Sequence, residues 1–203
     1  MTFASVYEIL DPLTTVRKQR FWDWFDGDSL RNWWQENGTG SSAMVDAVDE
    51  GFRLTSGTAS GNNRFINFNT IRHYSETGSI SIAITRKLTT ANSVEHVGFL
   101  DTVSFLHFAY VINDSLGETN YTISTKDGTT QTNTEGTIAH DLIFHLKQIE
   151  NTSTSNIMSI DGVLDVTKIT NRPAARLQPV FRTLTRTTAA REARIRYFEA
   201  FNT

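Results

Sequence analysis

Beyond Phe25 the apolar and polar positions of this chain alternate. Phe52 and Leu54 are separated by polar neighbours, as are Ile80, Ile82 and Ile84, then Leu142, Phe144 and Leu146. Tyr121, Ile123 and Thr125 repeat the pattern, and so do Ala193, Ile195 and Tyr197. A period of two predicts strands with one face on a core and the other in water. The Ile, Val, Thr, Phe and Tyr of these runs suit a pleated, half-buried surface. Phe105 to Ile112 is apolar in both phases except at His107, which predicts a central strand covered on both faces. Asp127-Gly128 and Asp161-Gly162 supply the positive φ that tight hairpin turns demand. Many short strands between turns, with no fixed repeat, predict an all-β sandwich or barrel.

The segment before Phe25 has another texture. Val6, Leu10, Leu13 and Val16 are spaced as on a helix, and Phe21, Trp22, Trp24 and Phe25 follow as an aromatic knot. Pro12 lacks an amide donor and interrupts any single helix there. The spacing predicts a short N-terminal helical or extended segment, and the chain divides into an attachment or oligomerisation segment, 1–24, and a sandwich domain, 25–203. Met1 to Leu13 carries Glu8 and Asp11 and has no basic stretch leading into an apolar run, so no secretory signal peptide is read. No apolar run is long enough to predict a membrane span.

Composition narrows the function classes. A chain of 203 residues can bury about 70% of the surface its unfolded form exposes, so it needs no disulfide or metal for stability. It has no cysteine, which excludes thiolate zinc sites and cysteine nucleophiles. A net charge of -3 gives no global electrostatic footprint for nucleic acid. Glycosylation sequons at Asn37, Asn113, Asn120 and Asn151 read as chance in a chain rich in Asn, Ser and Thr.

Several segments are similar to concanavalin A-like jelly rolls. Phe25-Asp26-Gly27-Asp28-Ser29-Leu30 followed by Trp33-Trp34 resembles the opening of that fold, and Gly51-Phe52-Arg53-Leu54-Thr55 resembles its next strand. Ser159-Ile160-Asp161-Gly162-Val163 looks like its late hairpin, and Leu177-Gln178-Pro179-Val180-Phe181 and Ile195 to Ala200 like its last two strands. The resemblance spans roughly residues 25 to 203 and implies a two-sheet antiparallel jelly-roll sandwich. It also implies a setting among structural proteins of tailed-phage-like viruses, on a fold that hosts lectins and glycoside hydrolases as well. The glycosidase branch carries a Glu-x-Asp-x-Glu strand. This chain departs from it: Glu95 to Asp101 holds a carboxylate at each end only.

No other catalytic constellation is evident. Asp23, Asp26 and Asp28 offer oxygens to calcium, against the alternative of a solvated turn. The five histidines, His73, His96, His107, His140 and His145, have no metal-site spacing, and His140 and His145 are expected on opposite sides of a strand. There is no nucleophile elbow and no phosphate loop. Trp22, Trp24, Trp33 and Trp34 are all the tryptophans and form a candidate ligand or partner surface, with burial against the sandwich as the alternative. Arg194 and Arg196 share one face of a strand, as do Arg182 and Arg186 on the one before. Such a face fits acidic subunits or a glycan carboxylate, or is an ordinary wet surface.

These readings converge on a non-enzymatic virion protein, a capsid-decorating, fibre or tail-surface subunit. Its expected partners are other virion subunits or copies of itself, with no nucleic acid or membrane. Its expected location is the virion, after synthesis in the host cytoplasm. The alternative is a lectin-like module that attaches to glycans.

Overall fold

The computed structural model describes residues 7–10, 17–45, 51–68, 72–89, 92–101, 105–114 and 118–203. In chain order its strands are β1 (Tyr7–Leu10), β2 (Arg17–Asp23), β3 (Gln35–Gly38), β4 (Gly40–Met44), β5 (Phe52–Ser56), β6 (Asn63–Asn67), β7 (Ser79–Lys87) and β8 (Ser93–Leu100). They continue as β9 (His107–Asp114), β10 (Asn120–Asp127), β11 (Gln131–Ala139), β12 (His145–Asn151), β13 (Asn156–Ile160), β14 (Val163–Lys168), β15 (Gln178–Thr185) and β16 (Glu192–Asn202).

Two antiparallel sheets form the jelly-roll sandwich. The first runs β1-β2-β16-β7-β12-β13-β14, with β5 beside the N-terminal half of β16 and β4 beside β5. The second runs β11-β10-β9-β8-β15-β6-β3. Both expected Asp-Gly turns are present. Asp161 and Gly162 take φ of 51° and 80° between β13 and β14, and Asp127 Oδ1 accepts the Thr129 and Thr130 amides between β10 and β11. As expected, β9 lies inside its sheet and is buried on both faces: Ala109 and Val111 face the other sheet, Phe108, Tyr110 and Ile112 face away.

Of the two forms expected for the N-terminal segment, helical or extended, the described residues take the extended one. Tyr7–Leu10 and Arg17–Asp23 are paired strands, and Pro12 lies outside the described residues. The aromatic knot follows the strand pleat: Phe21, Asp23 and Phe25 point in, while Trp24 points out. Phe21 meets Trp33, Trp34 and Phe68 edge to face at 5.7, 5.5 and 4.7 Å. β2 also pairs with β16, from Arg20↔Phe201 to Asp23↔Phe198.

The isoleucine run of β7 is inverted relative to the expectation from alternation. Ser79, Ser81, Ala83, Thr85 and Lys87 face the core, and Ile80, Ile82 and Ile84 face outward, partly buried. Small residues are required inside because larger rings and chains of neighbouring strands, Phe198, Ile149 and Met158 among them, fill that space. Between the sheets Lys147 of β12 meets Glu95 of β8 at 2.8 Å, each side chain 1% exposed. Thr85 also donates to Glu95, and the Lys147 ammonium lies 5.1 Å from the Tyr121 ring centroid.

Candidate functional site

The residues singled out in the sequence are spread over several parts of the sandwich. Trp34 is in the core, 5% exposed, and its Nε1 donates to Asp23 Oδ2 at 2.9 Å. Asp23 Oδ1 also accepts the Phe25 amide at 3.0 Å, so this buried carboxylate closes a turn. Asp26 reaches Arg31 at 3.8 Å, and no group of three or more His, Asp or Glu suited to a metal occurs among the described residues. Trp33 packs partly buried against the same core. Trp24 is 53% exposed and leans on Tyr197 with ring centroids 4.5 Å apart. Trp24, Trp22, Arg194 and Arg196 lie on the outward face of the first sheet, where Arg196 sits 3.7 Å above the Phe144 ring. A bulge between Ile195 and Tyr197 turns Tyr197 out as well.

His140 and His145, expected on opposite sides, both set their rings edge-on to Tyr121, at 6.2 and 5.6 Å. His140 follows the end of β11 and His145 begins β12, so strand alternation does not relate them. His145 is held between Asp161 at 2.5 Å and Asp141 at 2.9 Å. Both carboxylates also accept backbone amides, from Leu146 and Ile143, and so tie the sandwich end together.

The remaining concentration of chemistry is on the outward face of the second sheet, and register builds it. Arg182 of β15 lies beside His96 of β8, which lies beside Ile112 of β9. One row along, Val180, Gly98, Tyr110, Ser124 and Asn133 stand side by side across five strands. The His96 and Tyr110 rings stack at 5.0 Å, and Tyr110 stacks on Phe108 at 4.3 Å. Gly98, at φ 147°, lets β8 approach the β9 backbone closely in the middle of this floor. A Cβ there would fall 2.5 Å from the Ala109 carbonyl oxygen.

At the β10–β11 edge the face is polar, with Gln131 and Asn133 of β11 exposed and Ser124 of β10 buried. Ser124 Oγ donates to Asn133 Oδ1 at 2.6 Å, and Gln131 Nε2 reaches both residues at 3.2 Å. At the other end Phe105 packs edge to face on Phe65 at 5.4 Å, and the Arg182 guanidinium lies 4.6 Å from the Phe105 ring.

Several polar groups here are buried without partners. The Tyr110 hydroxyl, His96 Nδ1 and Arg182 Nε have no hydrogen-bond partner among the described residues. Burial holds the His96 pKa well below its ordinary value, with Arg182 and Arg186 adding to the effect, so the ring is neutral at pH 7. Burial pushes the Tyr110 hydroxyl well up, with Arg182 opposing and Asp101 adding to the shift. Among the described side chains on the outward positions of this sheet the one carboxylate is Glu135, and it accepts the Thr119 and Asn120 amides at 3.0 Å each. A pair of carboxylates flanking one glycosidic bond is therefore not built from these side chains.

The sequence signalled the faces of these strands but not this convergence. His96 and Arg182 are far apart in the chain, and β15 inserts between β8 and β6.

No family model matches the chain, and no curated protein matches it. Its fold, however, is shared with solved structures. Apo Crh5 transglycosylase superposes with a TM-score of 0.67 at 13% identity, over 91% of this chain and 84% of that one. A Bacillus licheniformis β-glucanase gives 0.63 at 11% identity, over 91% and 98%. The Emp47p carbohydrate recognition domain gives 0.61 at 11% identity, over 89% and 93%.

These neighbours correct the functional expectation. The expectation of a non-enzymatic virion subunit rests on the missing catalytic constellation, the Thr-, Ser- and Asn-rich strands and the family resemblance. The same architecture is that of a glucanase and a transglycosylase, so the fold overturns the non-enzymatic virion expectation and lends nothing to a viral setting. The alternative of a glycan-attachment module fits only in part, through the carbohydrate recognition domain. The comparisons place this chain among concanavalin A-like jelly rolls by fold.

Proposed function

We propose that this protein is carbohydrate-active: it takes a polysaccharide along the outward face of the second sheet and works on it there, with His96 and Tyr110 as the groups that move protons. The observation that carries this reading is the stacked His96–Tyr110 pair, with a free ring nitrogen and a free hydroxyl at the centre of the face. A neutral imidazole is competent as a general base, and an unspent phenol as a donor. Stacked rings suit the apolar face of a sugar, and the exposed Gln131 and Asn133 at the sheet edge suit its hydroxyls. The fold shared with a transglycosylase and a glucanase supports the reading without naming a substrate.

The test is a panel of soluble polysaccharides incubated with the protein, with products read by mass spectrometry. Cleavage or transfer of at least one glycan is expected, and His96→Ala and Tyr110→Phe each reduce the rate about 100-fold. Product formation indifferent to both substitutions, or no product and no binding across the panel, contradicts it.

A further inference from the structure

Arg182 is the least satisfied charged group on the described surface of the second sheet. Its side chain is partly buried between Phe105 and the row of Phe65 and His96. Among the described residues it makes no ion pair and no hydrogen bond; it lies against the Phe105 ring and interacts electrostatically with the Tyr110 hydroxyl. By contrast, the fully buried Lys147 is neutralised by Glu95. A guanidinium withdrawn from water without a counter-charge is costly, and burial lowers its pKa accordingly. Arg186 adds a second positive charge near His96. Glu95, adjacent to His96 in the chain, points to the opposite side of the sheet.

We propose that the glycan taken on this face is acidic, and that the carboxylate of a uronate residue supplies the counter-charge that Arg182 lacks. The inference rests on the preceding reading of the face as the glycan site. A planar carboxylate matches the guanidinium fork with two parallel hydrogen bonds. The Tyr110 hydroxyl, buried and without a partner among the described residues, lies on the same floor beside His96 and Arg182. The free Nδ1 of His96 stands between them in the register, one strand from Arg182 and stacked on Tyr110. A sulfate ester offers the same charge on a tetrahedral group, so the probes must separate the two.

The test is calorimetric titration of the full chain with three probes: an oligogalacturonate, a sulfated neutral oligosaccharide and a neutral mixed-linkage β-glucan oligosaccharide. Tighter binding of the oligogalacturonate is expected, weakened roughly 10- to 100-fold by Arg182→Met. The melting temperature of unliganded Arg182→Met is expected to equal or exceed that of the parent, because an unpaired charge is removed. Added oligogalacturonate raises the melting temperature of the parent and not of the variant. Arg182→Lys, which keeps the charge without the fork, is the second variant and is expected to bind the uronate more weakly than the parent. Equal binding of the neutral glucan, unaffected by either substitution, overturns the acidic specificity and leaves the glycan site standing. Preference for the sulfated probe overturns the carboxylate assignment. Binding of none of the three, with none in the wider panel, overturns both.

Discussion

Tyr110→Phe separates the stability of the second sheet from its chemistry. The ring is 2% exposed and sandwiched between Phe108 and His96, and phenylalanine keeps both stacks. The substitution deletes only a buried hydroxyl that has no partner. A buried polar group left unsatisfied costs about 1–3 kcal/mol, so its removal is expected to stabilise the fold by about 1 kcal/mol or more. For a chain of this size that is a rise in melting temperature of roughly 2–4 °C per kcal/mol. The assay is thermal and urea unfolding of parent and variant at pH 7, followed by tryptophan fluorescence. A stabilised variant with lost glycan activity is the signature of a group kept for function at the expense of the fold. A loss of stability above about 0.5 kcal/mol refutes the reasoning, because it means that the hydroxyl is hydrogen-bonded in the folded state.

Three further outcomes follow from other parts of the structure. Lys147→Met leaves Glu95 as an uncompensated buried carboxylate and is expected to cost about 3–5 kcal/mol in urea unfolding, whereas Lys147→Met with Glu95→Leu recovers most of that loss. Trp34→Ala empties a core position ringed by Phe21, Phe25, Phe68 and Phe198, at a cost of about 3–5 kcal/mol, while Trp24→Ala on the surface changes stability by less than about 1 kcal/mol. The lowered pKa of His96 means that the folded state binds its proton less readily than the unfolded chain does. Its contribution is therefore full above a pH of about 6.5 and is lost as the pH falls below it. His96→Gln is expected to flatten that part of the stability profile, and an unchanged profile contradicts the assignment.

Much of the fold was legible because local chemistry and tertiary demand agree. At Asp161-Gly162 the turn needs positive φ and the sequence offers residues that tolerate it. At β9 an uninterrupted apolar run meets burial on both faces. Alternation misled at β7, because it reports that two faces differ and not which one is inside. There the core takes the serines and Ala83, whose small volumes accommodate Phe198 and Met158, and the isoleucines cover the outward face. The N-terminal segment was ambiguous for a related reason: Phe21 and Phe25 are spaced for a helix turn, and equally for the inward side of an extended chain that pairs with β16. The candidate site was the least legible part. Arg182 and His96 were each visible as residues on strands, and an arginine face was matched to a glycan carboxylate from sequence. That the two share a row depends on β15 pairing with β8, a register that no local pattern encodes. The inference of a non-enzymatic coat subunit failed because it took a missing carboxylate motif as the absence of chemistry.

The most direct test of the central claim is a titration of the isotopically labelled protein with the glycan on which it acts, followed amide by amide. The account predicts that the perturbed resonances cluster on β8, β9, β10 and β15, around His96, Tyr110, Ser124 and Arg182. Perturbation confined to the outward face of the first sheet, around Trp24, Tyr197 and Arg196, would contradict it.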